Sequence, residues 1–323
     1  MAQYKDKSGP QRRTSGKVMP GSVFEQAMRA RTTPAPTVSG RWLLAAASLA
    51  IVGAAVCAWG ALCLLFWQGS WQLLYHPTSA VTRTPASVDI AFDAVGFATN
   101  QAGEPRLKGW WIPAAADARY ARCTLLYLHG QNGNLGDTVD HLAALHNLGL
   151  NVLAFDYRGY GQSAFERPSE ARWRQDAESA LIYLTATRHV SAGTIVLDGK
   201  DLGANLAVEI AAAHPELAGV VVESPLEAPM QAIFNDPRAR MVPAHLLVRD
   251  RWDLNGAARQ VRMPALWMLF ADGHAATAPP SLPMETDAPL MRVWLYDKDR
   301  KSNEQANSIS RWLGDLPAKG STP

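Results

Sequence analysis

The sequence predicts an α/β fold whose mostly parallel sheet is covered by helices on both faces, preceded by one transmembrane helix. Two observations predict this class. From residue 88 onward, short apolar runs alternate with amphipathic helical periodicities, which is typical of a parallel sheet packed between helices. Before them, residues 42–67 contain no charged side chain. Of the 323 residues 48% are apolar, which suits one large domain with additional segments.

Charge and cysteine content limit the classes of function. The formal net charge is +2, so the chain as a whole has no electrostatic reason to bind nucleic acid. The three cysteines are Cys57, Cys63 and Cys123, and two of them lie in the apolar segment. The sequence therefore indicates no disulfide framework.

The apolar segment 42–67 has the length of a membrane span. As a helix it is about 39 Å long, which crosses a bilayer core with some tilt. A buried core helix of this length would keep a polar stripe, and this segment has none. A cleaved signal peptide is the other alternative, but the long polar region before the segment favours an uncleaved anchor.

Flanking charges predict the orientation of the span. Residues 1–41 are basic and rich in Pro, Gly, Ser and Thr, whereas no Lys or Arg follows the span until Arg83. The positive-inside rule therefore predicts a cytoplasmic N-terminus and an extracytoplasmic main domain, periplasmic in a bacterium. We expect 1–41 to be a disordered cytoplasmic tail and 317–323 to be a disordered C-terminus.

Residues 68–87 form a predicted membrane-proximal connector. We expect four of its side chains to lie at the membrane surface as interfacial anchors: Trp71, Leu73, Leu74 and Tyr75.

The main domain is predicted over residues 88–316. Two antiparallel strands, at 88–98 and 107–112, open it. Six buried strands follow along the chain: CTLLYLHG, NVLAFDYRG, TIVLDGK, GVVVESP, ALWMLFA and MRVWLYD. Helical periodicities separate most of them, at 138–147, 170–187, 202–213 and 302–313. Residues 226–262, between the sixth and seventh strands, are a candidate for a small cap.

The five residues GKDLG at 199–203 follow a strand and open an apolar helix. A strand, a sharp glycine-flanked turn and a helix present the nucleophilic serine in the pattern G-x-S-x-G. Here Asp201 stands in the central position.

Over residues 71–313 the chain resembles the α/β-hydrolase superfamily. The resemblance is strongest to membrane-anchored α/β-hydrolase domain proteins of the serine aminopeptidase-like or dienelactone hydrolase-like kind. The stretches that carry the resemblance are YLHGQNGN, NVLAFDYRGYGQS followed by PSE, VVESP and LLVRDRWD. The resemblance implies an eight-stranded hydrolase sheet. It also implies an oxyanion hole made by backbone N–H groups of Leu202 and of Gln131 or Asn132.

The catalytic positions that the resemblance implies are degenerate. The family serine falls on Asp201, and the family acid falls on Gly273, with Asp272 one residue early. The family histidine would follow the eighth strand, but no histidine occurs after His274. Some α/β-hydrolases use an aspartate nucleophile at this elbow and need a histidine to clear the ester intermediate. His274 is then the one candidate base by chain position.

The candidate catalytic residues and their neighbours also have structural interpretations. Asp201 at a helix N-terminus is expected to accept backbone N–H bonds, and its carboxylate to reach into the oxyanion hole. His129, Asp156, Arg158 and Tyr160 are expected to be structural. The set Asp201, Glu223, Asp272 and His274 matches no metal motif, so neither a metal site nor a cofactor is predicted.

Three functions remain open at this stage. The first is a membrane-anchored pseudo-hydrolase that binds a small-molecule or acyl ligand, or a protein partner, without turnover. The second is an active hydrolase: an esterase, thioesterase or peptidase-like enzyme, or one with Asp201 as nucleophile. The third is an anchor whose basic tail contacts cytoplasmic partners or anionic lipid.

Overall fold

The computed structural model describes residues 38–271, 292–297 and 302–316. Residues 1–37 and 317–323 of the predicted tails, and the site candidates Asp272 and His274, lie outside the described residues. The chain divides into two compact units, Met1–Ala58 and Trp59–Pro323. The hydrolase-like domain belongs to the second unit.

The apolar segment forms one helix, α1 (Gly40–Gly69), slightly longer than predicted. Its side chains are almost all apolar, and nearly all of those in the first unit are exposed, including Trp42, Leu44, Leu49 and Ile51. By length and composition it is the one described helix that could cross a membrane. The exposed apolar surface is what a lipid-facing helix requires.

The sheet has the predicted eight strands and is mostly parallel. The strands are β1 (His76–Pro77), β2 (Asp93–Thr99), β3 (Pro105–Ile112), β4 (Thr124–Leu128), β5 (Asn132–Gly133), β6 (Asn151–Asp156), β7 (Ile195–Lys200), β8 (Gly219–Glu223), β9 (Ala265–Ala271) and β10 (Arg292–Asp297). In spatial order the strands of the sheet run β10-β9-β8-β7-β4-β6-β3-β2, and within the described residues only the β2–β3 and β3–β6 pairs are antiparallel. A separate two-stranded pair joins β1 to β5.

Helices cover both faces of the sheet because the central strands are apolar on both sides. The helices after α1 are α2 (Val139–His146), α3 (Glu170–Ile182), α4 (Leu202–Ala213), α5 (Gln231–Phe234), α6 (Ala244–Leu247), α7 (Leu254–Ala258) and α8 (Ser302–Gly314). In β7, Leu197 belongs to the core cluster with α3 and α4, whereas Val196 belongs to the cluster with α2 and α8. The α/β-hydrolase fold predicted from the sequence is confirmed.

Two element boundaries differ from the sequence-based expectation. The first sheet strand begins at Asp93 rather than at residue 88, because Pro85–Val88 forms a 3₁₀ turn that ends with Asp89 at φ 58°. Proline at the start of this turn favours helical geometry. The helix predicted over 170–187 ends at Ile182, after which Tyr183–Thr187 forms one π-helical turn.

The connector belongs to the domain core, so the expectation of four interfacial anchors is wrong for Leu74 and Tyr75. Both are buried. The Tyr75 hydroxyl donates to Asp250 Oδ2 at 2.6 Å and accepts from Trp252 Nε1 at 3.1 Å. A buried tyrosine hydroxyl needs such partners, and they fix the chain where it enters the domain.

Residues between β8 and β9, the cap candidate, contain three short helices, α5, α6 and α7, and a 3₁₀ turn at Pro237–Arg240. The Asn205 side chain of α4 holds the start of this segment. Its amide nitrogen donates to the Leu226 carbonyl at 2.8 Å, and its oxygen accepts from the Leu226 N–H at 2.9 Å.

Candidate functional site

The elbow between β7 and α4 has the backbone geometry of a nucleophile turn. Asp201 has φ 52° and ψ −122°, a conformation that non-glycine residues rarely adopt. The Asp201 N–H donates to the Glu223 carbonyl at 2.9 Å, which ties the turn to β8. Both flanking glycines are required by close packing: a Cβ on Gly199 would lie 2.3 Å from the Gly203 carbonyl oxygen, and one on Gly203 would lie 2.2 Å from that of Leu128.

The Asp201 carboxylate does not cap α4, contrary to the expectation from the sequence. It makes no side-chain hydrogen bond to the N-terminal N–H groups of the helix. The strained turn directs it toward the loop after β4, where a Cβ on Gly130 would lie 3.0 Å from Asp201 Oδ2. Partial burial raises the pKa of Asp201, and the nearby Lys200 charge opposes that rise.

The first predicted oxyanion-hole donor is already engaged. The Leu202 N–H donates to Gln131 Oε1 at 3.2 Å. Gln131 is itself held in place, because its carbonyl accepts from the Tyr160 hydroxyl and from the His76 N–H, each at 2.9 Å. A glutamine amide oxygen therefore occupies the position that the sequence analysis assigned to the Asp201 carboxylate.

Asn132, the other candidate for the hole, lies in β5 and pairs with β1. Its side-chain oxygen lies 3.0 Å from His76 Nδ1, and the residue is exposed. The segment that follows α1 therefore braces the loop that carries Gln131 and Asn132.

A cavity of about 310 Å³ opens beside Gln131. It is lined by both the connector and the start of the cap candidate: Leu73, Leu74, His76, Gln131, Leu226, Glu227, Ala228, Pro229 and Ala232. Its volume is at the lower end of the range for small-molecule pockets, and most of its lining is apolar.

His129, the histidine nearest along the chain to Gln131, is not placed to act as a general base. Its Nδ1 lies 2.8 Å from the Gly130 carbonyl oxygen, and its ring packs against Tyr157 at a centroid distance of 4.5 Å. Burial lowers the pKa of His129 to about 4. Within residues 38–271, 292–297 and 302–316, no imidazole hydrogen-bonds to the Asp201 carboxylate.

The loop after β6 carries polar side chains that are buried or half-buried and hydrogen-bonded. Asp156 Oδ1 accepts from the Leu135 N–H at 2.9 Å, and burial raises the pKa of Asp156 to about 7. Arg158 donates through Nε to Asp176 Oδ1 at 2.6 Å and through Nη1 to Glu166 Oε2 at 3.1 Å.

A second polar cluster, which the sequence analysis missed, lies beneath the elbow. His141 Nε2 is 3.6 Å from Asp198 Oδ2 and 3.5 Å from Glu223 Oε1, and all three residues are buried. Burial raises the pKa values of Asp198 and Glu223 to about 7 each. Of the four residues considered for a cation site from the sequence, Glu223 belongs to this cluster and Asp201 does not, while Asp272 and His274 lie outside the described residues. The sequence does offer one signal for this cluster. Asp198 is a carboxylate within the predicted buried strand TIVLDGK, where a charged side chain needs a partner.

Comparison with known proteins identifies related sequences over the middle of the chain. The family described as Serine aminopeptidase, S33, matches residues 120–263. An uncharacterised protein of Mycobacterium tuberculosis is 33% identical over 162 residues, which are 50% of this chain and 56% of that protein. Human alpha/beta hydrolase domain-containing protein 17C is 32% identical over 143 residues, 44% of this chain and 42% of that protein. The chain thus spans about half the length of these relatives.

Solved structures extend the likeness to most of the domain. An esterase from Pyrococcus furiosus superposes with a TM-score of 0.57 at 16% identity, covering 75% of this chain and 98% of that one. Est1E from Butyrivibrio proteoclasticus, solved with ferulic acid bound, has a TM-score of 0.51 at 13% identity and covers 65% of this chain and 95% of its own. At these identities the likeness concerns the fold alone.

Proposed function

Because the chain belongs to the α/β-hydrolase superfamily, we propose that it is a membrane-anchored member that holds a small apolar or acyl ligand without hydrolysing it. One observation carries the proposal. At the elbow, where a hydrolase needs a free N–H donor beside a serine, the Leu202 N–H is engaged by Gln131 Oε1 and Asp201 replaces the serine.

The chemistry of acyl transfer explains why these two features matter together. A nucleophile must be activated by a neighbouring base, and the negative charge of the tetrahedral intermediate must be stabilised by preorganised donors. A ligand carbonyl would have to displace the Gln131 amide to reach Leu202. The pKa of His129 is lowered and its ring is committed to packing, so it supports no role as the base.

The cavity beside Gln131 supports a binding role for this region. Its walls are mostly aliphatic, with His76, Gln131 and Glu227 as polar contacts. Such a lining favours a short apolar or acyl group with one polar end.

Helix α1 supports the membrane part of the proposal. Its length and apolar surface suit a single span. At its C-terminal end, Arg167 Nη2 donates to the Trp67 carbonyl at 2.7 Å, and the guanidinium lies 5.6 Å from a Trp67 ring centroid. A cation at a helix C-terminus is favourable, and a tryptophan there suits the bilayer interface.

Two assays on the full chain in detergent test the proposal. With short-chain nitrophenyl esters, we expect the rate to match that of an Asp201→Asn variant. A serine-directed fluorophosphonate probe should leave the protein unlabelled. Specific labelling, or ester turnover that depends on Asp201, would overturn the proposal.

A second candidate function uses Asp201 as a nucleophile, as in hydrolases that attack haloalkanes or epoxides. The observation in its favour is the Asp201 carboxylate itself, which sits at the nucleophile position and does not cap the helix. A carboxylate attacks without a base, but hydrolysis of the resulting ester needs one. Intact-mass measurement after incubation with a haloalkane and an epoxide distinguishes the two. A stable adduct that disappears in Asp201→Asn supports single attack, and an unchanged mass rejects this candidate.

A further inference from the structure

The most unusual buried group of the domain, outside the elbow, is the cluster of His141, Asp198 and Glu223. It joins three elements, because His141 comes from α2, Asp198 from β7 and Glu223 from the end of β8. All three side chains point to the sheet face covered by α2, where Tyr127 packs 5.0 Å from the His141 ring centroid. The cluster lies directly beneath the turn that carries Asp201.

The two separations that involve His141 are too long for direct hydrogen bonds. His141 Nε2 lies 3.6 Å from Asp198 Oδ2 and 3.5 Å from Glu223 Oε1, whereas a nitrogen–oxygen hydrogen bond is about 2.9 Å long. His141 Nε2 has no hydrogen-bond partner among the described residues, and the carboxyl groups of Asp198 and Glu223 have no donor there other than each other. A buried imidazole nitrogen is rarely left in this state, so we expect a ligand between it and the two carboxyl groups.

The same separations suit a shared metal ion. Two ligand atoms on a tetrahedral zinc ion lie about 3.4 Å apart, since Zn–N and Zn–O bonds are about 2.1 Å long. One ligand atom from each residue can be chosen so that all three lie within 4.8 Å of one another. An imidazole with two carboxylates is also a ligand set that divalent transition ions accept.

Charge gives an independent reason for a dication. Asp198 and Glu223 would bring two negative charges into a site that is almost inaccessible to water. A divalent ion would neutralise the pair completely.

We propose that His141, Asp198 and Glu223 form a structural binding site for a divalent transition ion of the zinc type. The ion would join α2, β7 and β8 beneath the elbow and so fix the turn at Asp201. This inference is independent of whether the elbow is catalytic. The rival occupant is a proton shared by the two carboxyl groups.

Zinc binding by the purified full chain tests the proposal. After chelation and removal of the chelator, Zn²⁺ is titrated calorimetrically, and metal content is measured by elemental mass spectrometry. We expect one tightly bound equivalent per chain and a melting temperature that rises with Zn²⁺ and falls with EDTA. Asp198→Asn, Glu223→Gln and His141→Gln should each weaken binding at least about 100-fold, since loss of an outer-shell partner alone costs 10–100-fold.

Two variants outside the cluster serve as matched controls. Asp156→Asn changes another buried carboxyl group with a raised pKa, and His146→Gln changes another histidine of α2. Both should bind Zn²⁺ within about threefold of the wild type, well below the loss expected at a ligand. The proposal is overturned if the wild type binds no tight equivalent, or if binding survives the three cluster substitutions. Should one of those variants fail to fold, the other two and the wild-type stoichiometry still decide.

Discussion

Gly203 is the residue at which the elbow tolerates a side chain least. A Cβ there would lie 2.2 Å from the Leu128 carbonyl oxygen and 2.4 Å from that of His129, both backbone atoms at the end of β4. We expect Gly203→Ala to lower the free energy of unfolding by more than about 3 kcal/mol, measured by urea unfolding in detergent. Gly60→Ala, where a Cβ meets nothing within 4 Å, is the control. Equal stability of the two variants would contradict the close packing of the elbow.

The buried carboxyl group of Asp156 should make the stability of the folded chain depend on pH. Burial raises the pKa of its carboxyl group to about 7 in the folded chain, from an ordinary value of 3.8. Between these values the unfolded chain ionises Asp156 while the folded chain keeps it protonated, so stability falls as pH rises.

The Asp156→Asn variant isolates this effect. The free energy of unfolding of the wild type minus that of Asp156→Asn should fall by up to about 4 kcal/mol between pH 4 and pH 7 and be flat above that range. Urea unfolding of both proteins across the range measures the difference. A difference that is constant, or that rises with pH, would contradict the burial of a protonated Asp156.

At the scale of elements, the loop after β6 depends on one buried arginine. The Arg158 guanidinium holds Asp176 of α3, and removing it would leave that buried carboxylate without its positive charge, with the backbone N–H of residue 158 as the remaining donor. We expect Arg158→Met to cost about 3–5 kcal/mol of stability in thermal or urea unfolding. Arg238→Met removes an exposed pair with Asp236 and should cause no measurable change. A mild effect at Arg158 would mean that the network does not hold the loop.

Hydrophobic periodicity predicts the order and type of the elements, and each failure has its own cause. Helix α4 is predicted with both of its bounds because GKDLG marks its start and the apolar face is continuous. The strand start at Asp93 is mispredicted because Pro85 opens a short 3₁₀ turn, which hydrophobic periodicity does not reveal. The burial of Tyr75 is not predicted because its hydrogen bond to Asp250 joins residues 175 positions apart. The interaction of Gln131 with Leu202 joins residues 71 positions apart, and no short-range pattern encodes it.

At the scale of the whole molecule, the proposed anchor predicts where the protein is found in the cell. We expect the full chain in the membrane fraction, resistant to high salt and to alkaline carbonate, because helix α1 presents an uninterrupted apolar surface. A variant lacking residues 1–69 should be released from that fraction. Release of the full chain by carbonate would contradict a spanning helix.

The orientation of the anchor is a separate prediction. The basic residues before the span and their absence after it until Arg83 favour an extracytoplasmic domain. A reporter that is active only outside the cytoplasm, fused after Pro323, should be active. Activity confined to a cytoplasmic reporter at the same position would reverse the topology.

The proposed function requires that the protein does not release bound ester as product. The most direct measurement is the number of product molecules formed per polypeptide from a short-chain nitrophenyl ester, followed to completion and compared with Asp201→Asn. We predict the same number as for the variant, because Asp201 replaces the serine and, within the described residues, no imidazole hydrogen-bonds to its carboxylate. Many equivalents per chain, lost on replacing Asp201, would contradict the account.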